Sequence, residues 1–274
     1  MVVVAHISDL HFGRTDPRAV DSLRVDLKRL DPRLVVISGD LTQRAYTQEF
    51  LAARAFLRSL QLPVLAVPGN HDIPLWDVTR RFLAPLGRYR RFIRHDLEPR
   101  YEDEEIVVIG VNTARALSLT EGRINQVQMA RIGQRLANVP VGKLRVVVAH
   151  HPFLPPPHRR DERLVGRAAR ALASLESARV DVVLGGHQHS AYSDPAHLHH
   201  EQVQRSIVII QAGTAVSTRL RGETNAYNVV RLSPAGLDIE VRELQGAAFR
   251  PRSHRGFVRG GSGWRERAST DSSI

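Results

Sequence analysis

Residues 2–11 have the sequence VVVAHISDLH, in which a strand-like apolar run ends on the polar residues Ser8, Asp9 and His11. A short apolar run rich in β-branched residues predicts a buried β-strand. The polar residues behind it predict a loop that carries chemistry at the end of that strand. This stretch decides the fold, because four later segments of the chain repeat the same arrangement.

Each of these four segments joins an apolar strand to a loop that bears Asp, Asn or His. The segments are LVVISGD (34–40), VLAVPGNHD (64–72), RVVVAHHP (145–152) and DVVLGGHQH (181–189). Amphipathic helix patterns follow Asp16-Pro17 and cover residues 46–60 and 164–175. The order strand–helix–strand predicts parallel pairing with right-handed crossovers.

The remaining strand candidates are residues 106–111, 206–211, 226–231 and 237–241. No helix pattern separates the last members of this group, which favours antiparallel pairing at the end of the chain. The sequence therefore predicts an α/β layered fold with a mixed sheet.

Five polar loops at the carboxyl ends of strands predict one shared site, because ligands bind in that crevice of parallel α/β sheets. The candidate side chains are Asp9, His11, Asp40, Asn70, His150, His187 and His189. Oxygen and imidazole donors without thiolate suit Mn, Fe, Zn or Co. The i, i+2 pairs in DLH and HQH are expected to point to one side in extended backbone. Seven donors exceed one tetrahedral ion and suit two ions, with Asp40 as the bridging carboxylate.

The motifs SDLHFG, ISGDLT, VPGNHD, VVAHHP and GGHQH occur in this order and resemble the signature blocks of calcineurin-like metallophosphoesterases. The segment IVIIQAGTAVSTRLRGETNAYNVVRL (207–232) resembles the branch that includes class III cyclic-nucleotide phosphodiesterases. The resemblance implies a four-layer αββα sandwich of two mixed β-sheets flanked by helices.

The same resemblance implies a dinuclear centre of divalent or trivalent ions, with Mn, Fe and Zn as candidates. One ion would be held by Asp9, His11, Asp40 and His189, and the other by Asp40, Asn70, His150 and His187. A hydroxide that bridges the two ions would attack phosphorus in line. His71 would stabilise charge and protonate the leaving oxygen, and Asp72 is expected to orient His71.

The composition excludes several classes of protein. The chain has no cysteine, which excludes a disulfide framework, a thiolate nucleophile, a zinc finger and an iron–sulfur cluster. No apolar run approaches the ~18 residues of a membrane span and no leader pattern is visible, so a cytoplasmic location is expected. Thirty-nine Lys and Arg against 28 Asp and Glu give a net charge of +11, which favours an anionic partner.

The chain is divided into a metallophosphoesterase domain, residues 1–246, and a basic tail, residues 247–274. The tail holds six arginines against Glu266 and Asp271 and is expected to be disordered, with nucleic acid or acidic lipid as a partner. Another six arginines lie within residues 79–94. They are interpreted as a solvated helix face, with contacts to a substrate phosphate or base as the alternative.

Other polar residues receive no catalytic assignment. His151 is expected to point away from the metals and to serve packing. His158, His197, His199 and His200 are interpreted as solvated loop residues, since no carboxylate cluster accompanies them. Tyr227 is interpreted as a strand residue.

Three functions remain open at this point. The first is a phosphodiesterase with a cyclic nucleotide or another small phosphodiester as substrate. The second is a nuclease or a hydrolase of lipid-linked pyrophosphate on the same metal centre. The third is an inactive scaffold that binds proteins, which fits less well because no candidate ligand departs from the family pattern. The resemblance also allows a homodimer.

Overall fold

The structure is a computed structural model that describes residues 1–204, 207–261 and 263–267. These residues form thirteen strands: β1 (Val2–Ile7), β2 (Leu34–Ile37), β3 (Val64–Ala66), β4 (Arg100–Glu102), β5 (Ile106–Val111), β6 (Leu144–Ala149), β7 (Val182–Gly185), β8 (Tyr192–Pro195), β9 (Val208–Gln211), β10 (Ala226–Leu232), β11 (Gly236–Gln245), β12 (Ala248–Gly260) and β13 (Gly263–Glu266). They also form six α-helices: α1 (Pro17–Leu30), α2 (Thr47–Leu60), α3 (Val78–Leu83), α4 (Gly87–Phe92), α5 (Gln126–Ala137) and α6 (Ala168–Ser177).

The strands build two mixed sheets, as predicted. The first sheet has the order β13-β12-β11-β10-β1-β2-β3, and the second has the order β4-β5-β6-β7-β9-β8. Strands β1, β2 and β3 are parallel, whereas β10 to β13 follow one another antiparallel. In the second sheet β5, β6, β7 and β9 are parallel, and β4 and β8 pair antiparallel at the two edges.

The two sheets pack face to face between layers of helices. Alternate residues of a strand point to opposite faces, so Val4 of β1 packs in one core with Val146 of the second sheet. Ile7 of the same strand points the other way and packs with Leu23 of α1. A third core joins the far face of the second sheet to α5 and α6. The predicted four-layer αββα sandwich is confirmed.

Several helices begin at residues whose side chains cap them. Asp16 caps α1, and its carboxylate accepts a hydrogen bond from the backbone N–H of Arg18 at 2.9 Å, as the Asp-Pro pair predicts. Helix α5 was not predicted, although Asn125 and Gln128 form a reciprocal capping box at its start. Helix α6 begins at Ala168, later than the predicted 164. Within the described residues, every helix is too short or too polar to cross a membrane.

The predicted disorder of residues 247–274 is wrong for most of that segment. Strand β12 pairs with β11 along nearly its whole length, and β13 pairs with β12, so the boundary at 246 cuts through a hairpin. Phe257 and Trp264 are buried in the core between the sheets. Residues 268–274 lie outside the described part of the chain.

The arginines of this segment contact carboxylates far away in the sequence. Arg259 contacts Asp181 at 2.7 Å, Arg267 contacts Asp238 at 2.6 Å, and Arg255 contacts Asp194 at 3.3 Å. The net positive charge of residues 247–274 gave no indication that several of their arginines are paired, because the partner carboxylates lie outside that segment.

Replacing Trp264 with alanine should lower the free energy of unfolding by about 3–5 kcal/mol, the usual cost of removing a buried aromatic side chain. Only 2% of Trp264 is exposed, and the guanidinium of Arg259 lies 4.6 Å from its ring centroid. Urea denaturation measures the change. Val258→Ala is the matched control, because Val258 is on β12 and 41% exposed. Equal midpoints for the two variants would show that the last strand does not stabilise the core.

Candidate metal centre

All seven candidate ligands follow the carboxyl ends of parallel strands and meet in one place. Asp9 and His11 follow β1, Asp40 follows β2, and Asn70 stands in a turn of 3-10 helix after β3. His150 follows β6, and His187 and His189 follow β7. The first three strands belong to one sheet and the last two to the other. The site therefore lies where the ends of both sheets meet.

The backbone of the site is unusual, because five of the seven candidates have left-handed φ angles. These angles are 52° for Asp9, 48° for His11, 51° for Asp40, 76° for His187 and 61° for His189. A residue with a side chain rarely adopts this region, at a cost of about 1–3 kcal/mol in a folded protein. The predicted extended backbone of the i, i+2 pairs is wrong, and tight loops rather than strand pleats aim these side chains.

Glycines next to the ligands make room for this arrangement. A Cβ on Gly186 would lie 1.9 Å from Ser8 Oγ and 2.8 Å from Asp9 Oδ2. A Cβ on Gly39 would lie 2.4 Å from the His150 ring, and Gly39 itself has φ of 105°. The GD and GGH motifs thus reflect close packing of backbone against ligand side chains.

One group of donor atoms consists of Asp9 Oδ1, His11 Nε2, His189 Nε2 and Asp40 Oδ2. The two imidazole nitrogens are 3.2 Å apart. Asp9 Oδ1 lies 3.6 Å from His11 Nε2 and 3.3 Å from His189 Nε2. Asp40 Oδ2 lies 3.8 Å from His11 Nε2.

A second group shares Asp40 Oδ2 and adds Asn70 Oδ1, His150 Nε2 and His187 Nδ1. Asp40 Oδ2 is 3.3 Å from His150 Nε2. Asn70 Oδ1 is 3.1 Å from both His150 Nε2 and His187 Nδ1. The two nitrogens are 3.3 Å apart.

These spacings fit metal ions. Donors that bind one ion at ~2.0–2.2 Å are ~3–3.6 Å from each other in common geometries. Asp9 Oδ1 is buried and has no hydrogen-bond partner, which leaves a lone pair aimed into the first group. Two imidazole nitrogens whose lone pairs face each other at van der Waals distance repel each other unless a cation or a proton lies between them. The residues present therefore fit a pair of ions that share Asp40.

Outer contacts orient several of the donors. His150 Nδ1 donates to the Ser38 carbonyl at 2.7 Å, and His189 Nδ1 donates to the Arg219 carbonyl at 2.8 Å. Each ring therefore turns Nε2 toward the site. The amide of Asn70 donates to the Leu119 carbonyl at 2.9 Å, which aims Oδ1 inward.

Burial and charge set the protonation of the donors, and they keep Asp9 ionised and His187 neutral, as cation binding requires. Burial alone would raise the pKa of Asp9, but His189 and His11 hold it well below its usual value. Burial lowers the pKa of His187 to about 3, so its imidazole is neutral. Burial opposes protonation of His150 as well, yet the Asp40 carboxylate raises its pKa to about 9. A cation bound there competes with the His150 proton.

His71 lies beside the donors and is oriented by backbone and side-chain contacts. One of its ring nitrogens lies within 4.8 Å of ligand atoms of His11 and Asp40. Its Nδ1 donates to the Gln43 carbonyl at 2.7 Å. Its Nε2 accepts from Arg219 Nη1 at 3.0 Å. Sequence reasoning gave Arg219 no role, because the contact joins residues 148 positions apart.

Asp72 does not orient His71, contrary to the prediction. Its carboxylate accepts hydrogen bonds from the backbone N–H groups of Gly69, Leu41 and Thr42 and from the Thr42 hydroxyl. Burial raises the pKa of Asp72 to about 7, and the nearby Asp40 charge adds to this shift. Asp72 thus ties the loop after β2 to the loop after β3.

The remaining histidines have structural contacts or are exposed. His151 lies closer to the site than predicted, with a ring nitrogen within 4.8 Å of His150 and His187, and its Nδ1 hydrogen bonds with Thr113 Oγ1 at 2.7 Å. His199 contacts Asp194, and His200 donates to the Phe153 carbonyl. His158 and His197 are exposed.

The arginines of residues 79–94 were expected to lie on a solvated helix face, but two of them do not. Arg81 is buried, and its guanidinium donates to the carbonyls of Pro74 and Ser118. Arg88 is half-buried and donates to the Ala45 carbonyl at 2.9 Å. These two side chains join loops around the site, whereas Arg80, Arg90, Arg91 and Arg94 are exposed.

Comparison with known families decides the classification. The model of the calcineurin-like phosphoesterase family matches residues 2–191. The chain belongs to this family. The match begins at β1 and ends just after the HQH motif, so it contains all seven candidate ligands, and the resemblance inferred from the five motifs is confirmed. The chain is therefore a metal-dependent phosphoester hydrolase.

Curated relatives within the family carry phosphodiesterase names. A protein of Ruthia magnifica subsp. Calyptogena magnifica named "Probable cyclic nucleotide phosphodiesterase" is 24% identical over 68% of this chain and 77% of its own length. A Synechococcus protein of the same name is 27% identical over 69% of this chain and 74% of its own length. The glycerophosphodiester phosphodiesterase of Enterobacter lignolyticus is 33% identical over 26% of this chain and 30% of its own length.

Solved structures share the fold at low sequence identity. Purple acid phosphatase from yellow lupin superposes with a TM-score of 0.71 at 14% identity, over 94% of this chain and 53% of the lupin chain. A dimetal phosphatase from Danio rerio superposes with a TM-score of 0.65 at 13% identity, over 88% of this chain and 96% of its own. The two-sheet sandwich is thus shared with metal-dependent phosphatases.

Proposed function

We propose that the chain is a dinuclear-metal phosphodiesterase that hydrolyses small phosphodiesters, with cyclic nucleotides as the leading substrate class. The carrying observation is the pair of donor groups that share Asp40 Oδ2. One ion would be held by Asp9, His11, Asp40 and His189. The other would be held by Asp40 with Asn70, His150 and His187.

Two metal ions at such a centre supply Lewis acidity and an activated water for attack on phosphorus. Two divalent ions carry +4, and the carboxylates of Asp9 and Asp40 offset −2 of that charge. The site is then positive, which suits an anionic phosphoester. Mn, Fe and Zn all accept this mixture of carboxylate, amide and imidazole donors.

The chain's own residues would handle the leaving group. In our proposal His71 donates a proton to the leaving oxygen, since its ring lies beside His11 of the first donor group and beside the shared Asp40. Its Nδ1 proton is engaged by the Gln43 carbonyl, so Nε2 is the atom that exchanges a proton with substrate. Arg219 donates to that nitrogen in the neutral ring and would release it when Nε2 takes up the proton, so Arg219 would position the ring and add positive charge near it.

The names of the relatives support a diester rather than a monoester as substrate. The nuclease alternative loses part of its support, because most described arginines of residues 247–267 contact carboxylates. The scaffold alternative fits less well, because both donor groups are complete. Nucleic-acid binding, a homodimer and a cytoplasmic location stay predictions.

The test measures metal content and hydrolysis on the same purified protein. After chelation and reloading with Mn²⁺, the protein should hydrolyse bis(p-nitrophenyl) phosphate and cyclic nucleotides, and Asn70→Ala should lose the second ion and most activity. Thermal unfolding should also shift upward on metal loading, because an ion that binds only the folded state stabilises it.

Asp21→Asn is a suitable control, because Asp21 is an exposed carboxylate on α1 that pairs with Arg24. It should match the unsubstituted protein in metal content and rate. Our proposal would be wrong if the reloaded protein held two ions and hydrolysed no diester, or if it bound no metal at all.

A further inference from the structure

A cluster of large apolar side chains lies exposed beside the metal centre. We call it the apolar face and define it as Leu75, Trp76, Val78, Phe82, Leu83, Leu117 and Leu119. Their exposed fractions range from 38% for Leu75 to 92% for Leu117. A contiguous exposed apolar patch on a folded protein usually marks a contact with a partner or a membrane.

The two segments that carry the apolar face are joined by one buried arginine. Arg81 Nη1 donates to the Pro74 carbonyl at 3.0 Å, and Arg81 Nη2 donates to the Ser118 carbonyl at 2.6 Å. Arg81 is 6% exposed. The loop of residues 117–119 is therefore held against residues 74–83, and their apolar side chains belong to one surface.

This surface adjoins the candidate ligands. The Leu119 carbonyl accepts the hydrogen bond from the Asn70 amide. Whatever covers the apolar face is thus brought next to the donor groups.

The charge near the apolar face is strongly positive. Residues 74–94 contain one acidic residue, Asp77, and six arginines, of which Arg80, Arg90, Arg91 and Arg94 are exposed. Asp77 Oδ2 lies 3.5 Å from Arg80 and 3.8 Å from Arg88, so its charge is already compensated. Two copies of such a surface would repel each other, which disfavours a second copy of this chain as the occupant.

We propose that the apolar face docks on the surface of an anionic phospholipid bilayer. Trp, Phe and Leu side chains next to arginines are typical of segments that lie in the membrane interface. Arginines near the surface add attraction for acidic headgroups. The bilayer satisfies both features at once, whereas an apolar protein partner would leave the arginines without counter-charges. Docking would place the metal centre beside the headgroup layer.

The experiment uses the full chain and vesicles without any substrate. Co-sedimentation is measured with vesicles of phosphatidylcholine alone and with vesicles that also contain phosphatidylglycerol. The chain has two tryptophans, Trp76 and Trp264, and Trp264 is buried, so a blue shift of emission on binding reports Trp76. We expect binding to the anionic vesicles with a blue shift, and weaker binding as salt is raised.

The variant Phe82→Glu/Leu83→Glu should weaken vesicle binding by at least about tenfold, since it removes two inserted apolar side chains. Both positions are exposed, so the fold should persist, and an unchanged melting temperature checks this. Val141→Glu is the control, because Val141 is 89% exposed in the loop between α5 and β6, outside the apolar face.

The proposal is overturned if the unsubstituted protein does not bind anionic vesicles or if the double variant binds them equally well. Sedimentation velocity separates one further outcome. A dimer that the double variant converts to a monomer, without vesicle binding by the parent, would make this face a subunit contact and refute the membrane proposal. Hydrolysis of a small diester is measured in a separate assay, so the vesicle experiment can be interpreted even if the catalytic proposal fails.

Discussion

Asp40→Ala is expected to lower kcat/KM for bis(p-nitrophenyl) phosphate by more than about a thousandfold, because a shared ligand serves both ions. Asp40 Oδ2 lies within reach of both donor groups. Asp40 Oδ1 accepts the backbone N–H of His71 at 2.8 Å. The substitution therefore removes the bridge and loosens the loop that carries His71. Elemental analysis of the purified variant should find fewer than two metal ions per chain.

The comparison variant is Asn70→Ala, which removes a donor from the second group only. It should retain one ion, whereas Asp40→Ala should weaken both. Melting temperatures of metal-free protein check that neither variant is unfolded. Two firmly bound ions in Asp40→Ala, together with unreduced turnover, would contradict the bridging role.

The fold and the convergence of the seven candidate ligands could be predicted because the local strand patterns agree with the long-range pairing in the first 190 residues. Each of these apolar runs is a strand with a parallel neighbour, and the carboxyl ends of the strands meet where the two sheets come together. Any polar residue that follows such a strand must then lie near the others. Asp9 and His187, which are far apart in the chain, could thus be assigned to one site without knowledge of a single contact.

The last strands and the role of Arg219 could not be predicted in this way. Arg259 looks like part of a disordered basic tail until its partner Asp181, 78 positions earlier, is known. The role proposed for Arg219 rests on its contact with His71, 148 positions earlier in the chain. A pattern within a short window reports burial and period, and it carries no information about pairs of this kind.

The left-handed backbone at the ligands was missed for another reason. Sequence patterns favour low-energy conformations, and Asp9 and His11 both depart from them. Strained residues of this sort persist only where surrounding packing enforces them, and they concentrate at functional sites. The rule that predicts strands therefore fails at the residues that follow them.

His71→Ala is expected to reduce kcat by about 10²–10⁴-fold with a cyclic nucleotide, the usual contribution of a positioned general acid. The effect should shrink with bis(p-nitrophenyl) phosphate, because p-nitrophenolate leaves without help from a proton. Metal content should not change, since His71 belongs to neither donor group. An equal loss with both substrates would argue against proton donation to the leaving oxygen.

Arg219→Ala extends this test. The substitution removes the guanidinium that contacts His71, whereas the backbone carbonyl of residue 219 still accepts the hydrogen bond from His189. Loss of the guanidinium should cost about 10–100-fold in kcat, as for other residues that orient a functional group. If Arg219 acts through His71, the double variant should be no slower than His71→Ala alone. Arg221→Ala is the control, since Arg221 is an exposed neighbour. Additive losses would instead mean that Arg219 contacts the substrate itself, and that the positive charge at this side of the metal centre binds phosphate directly.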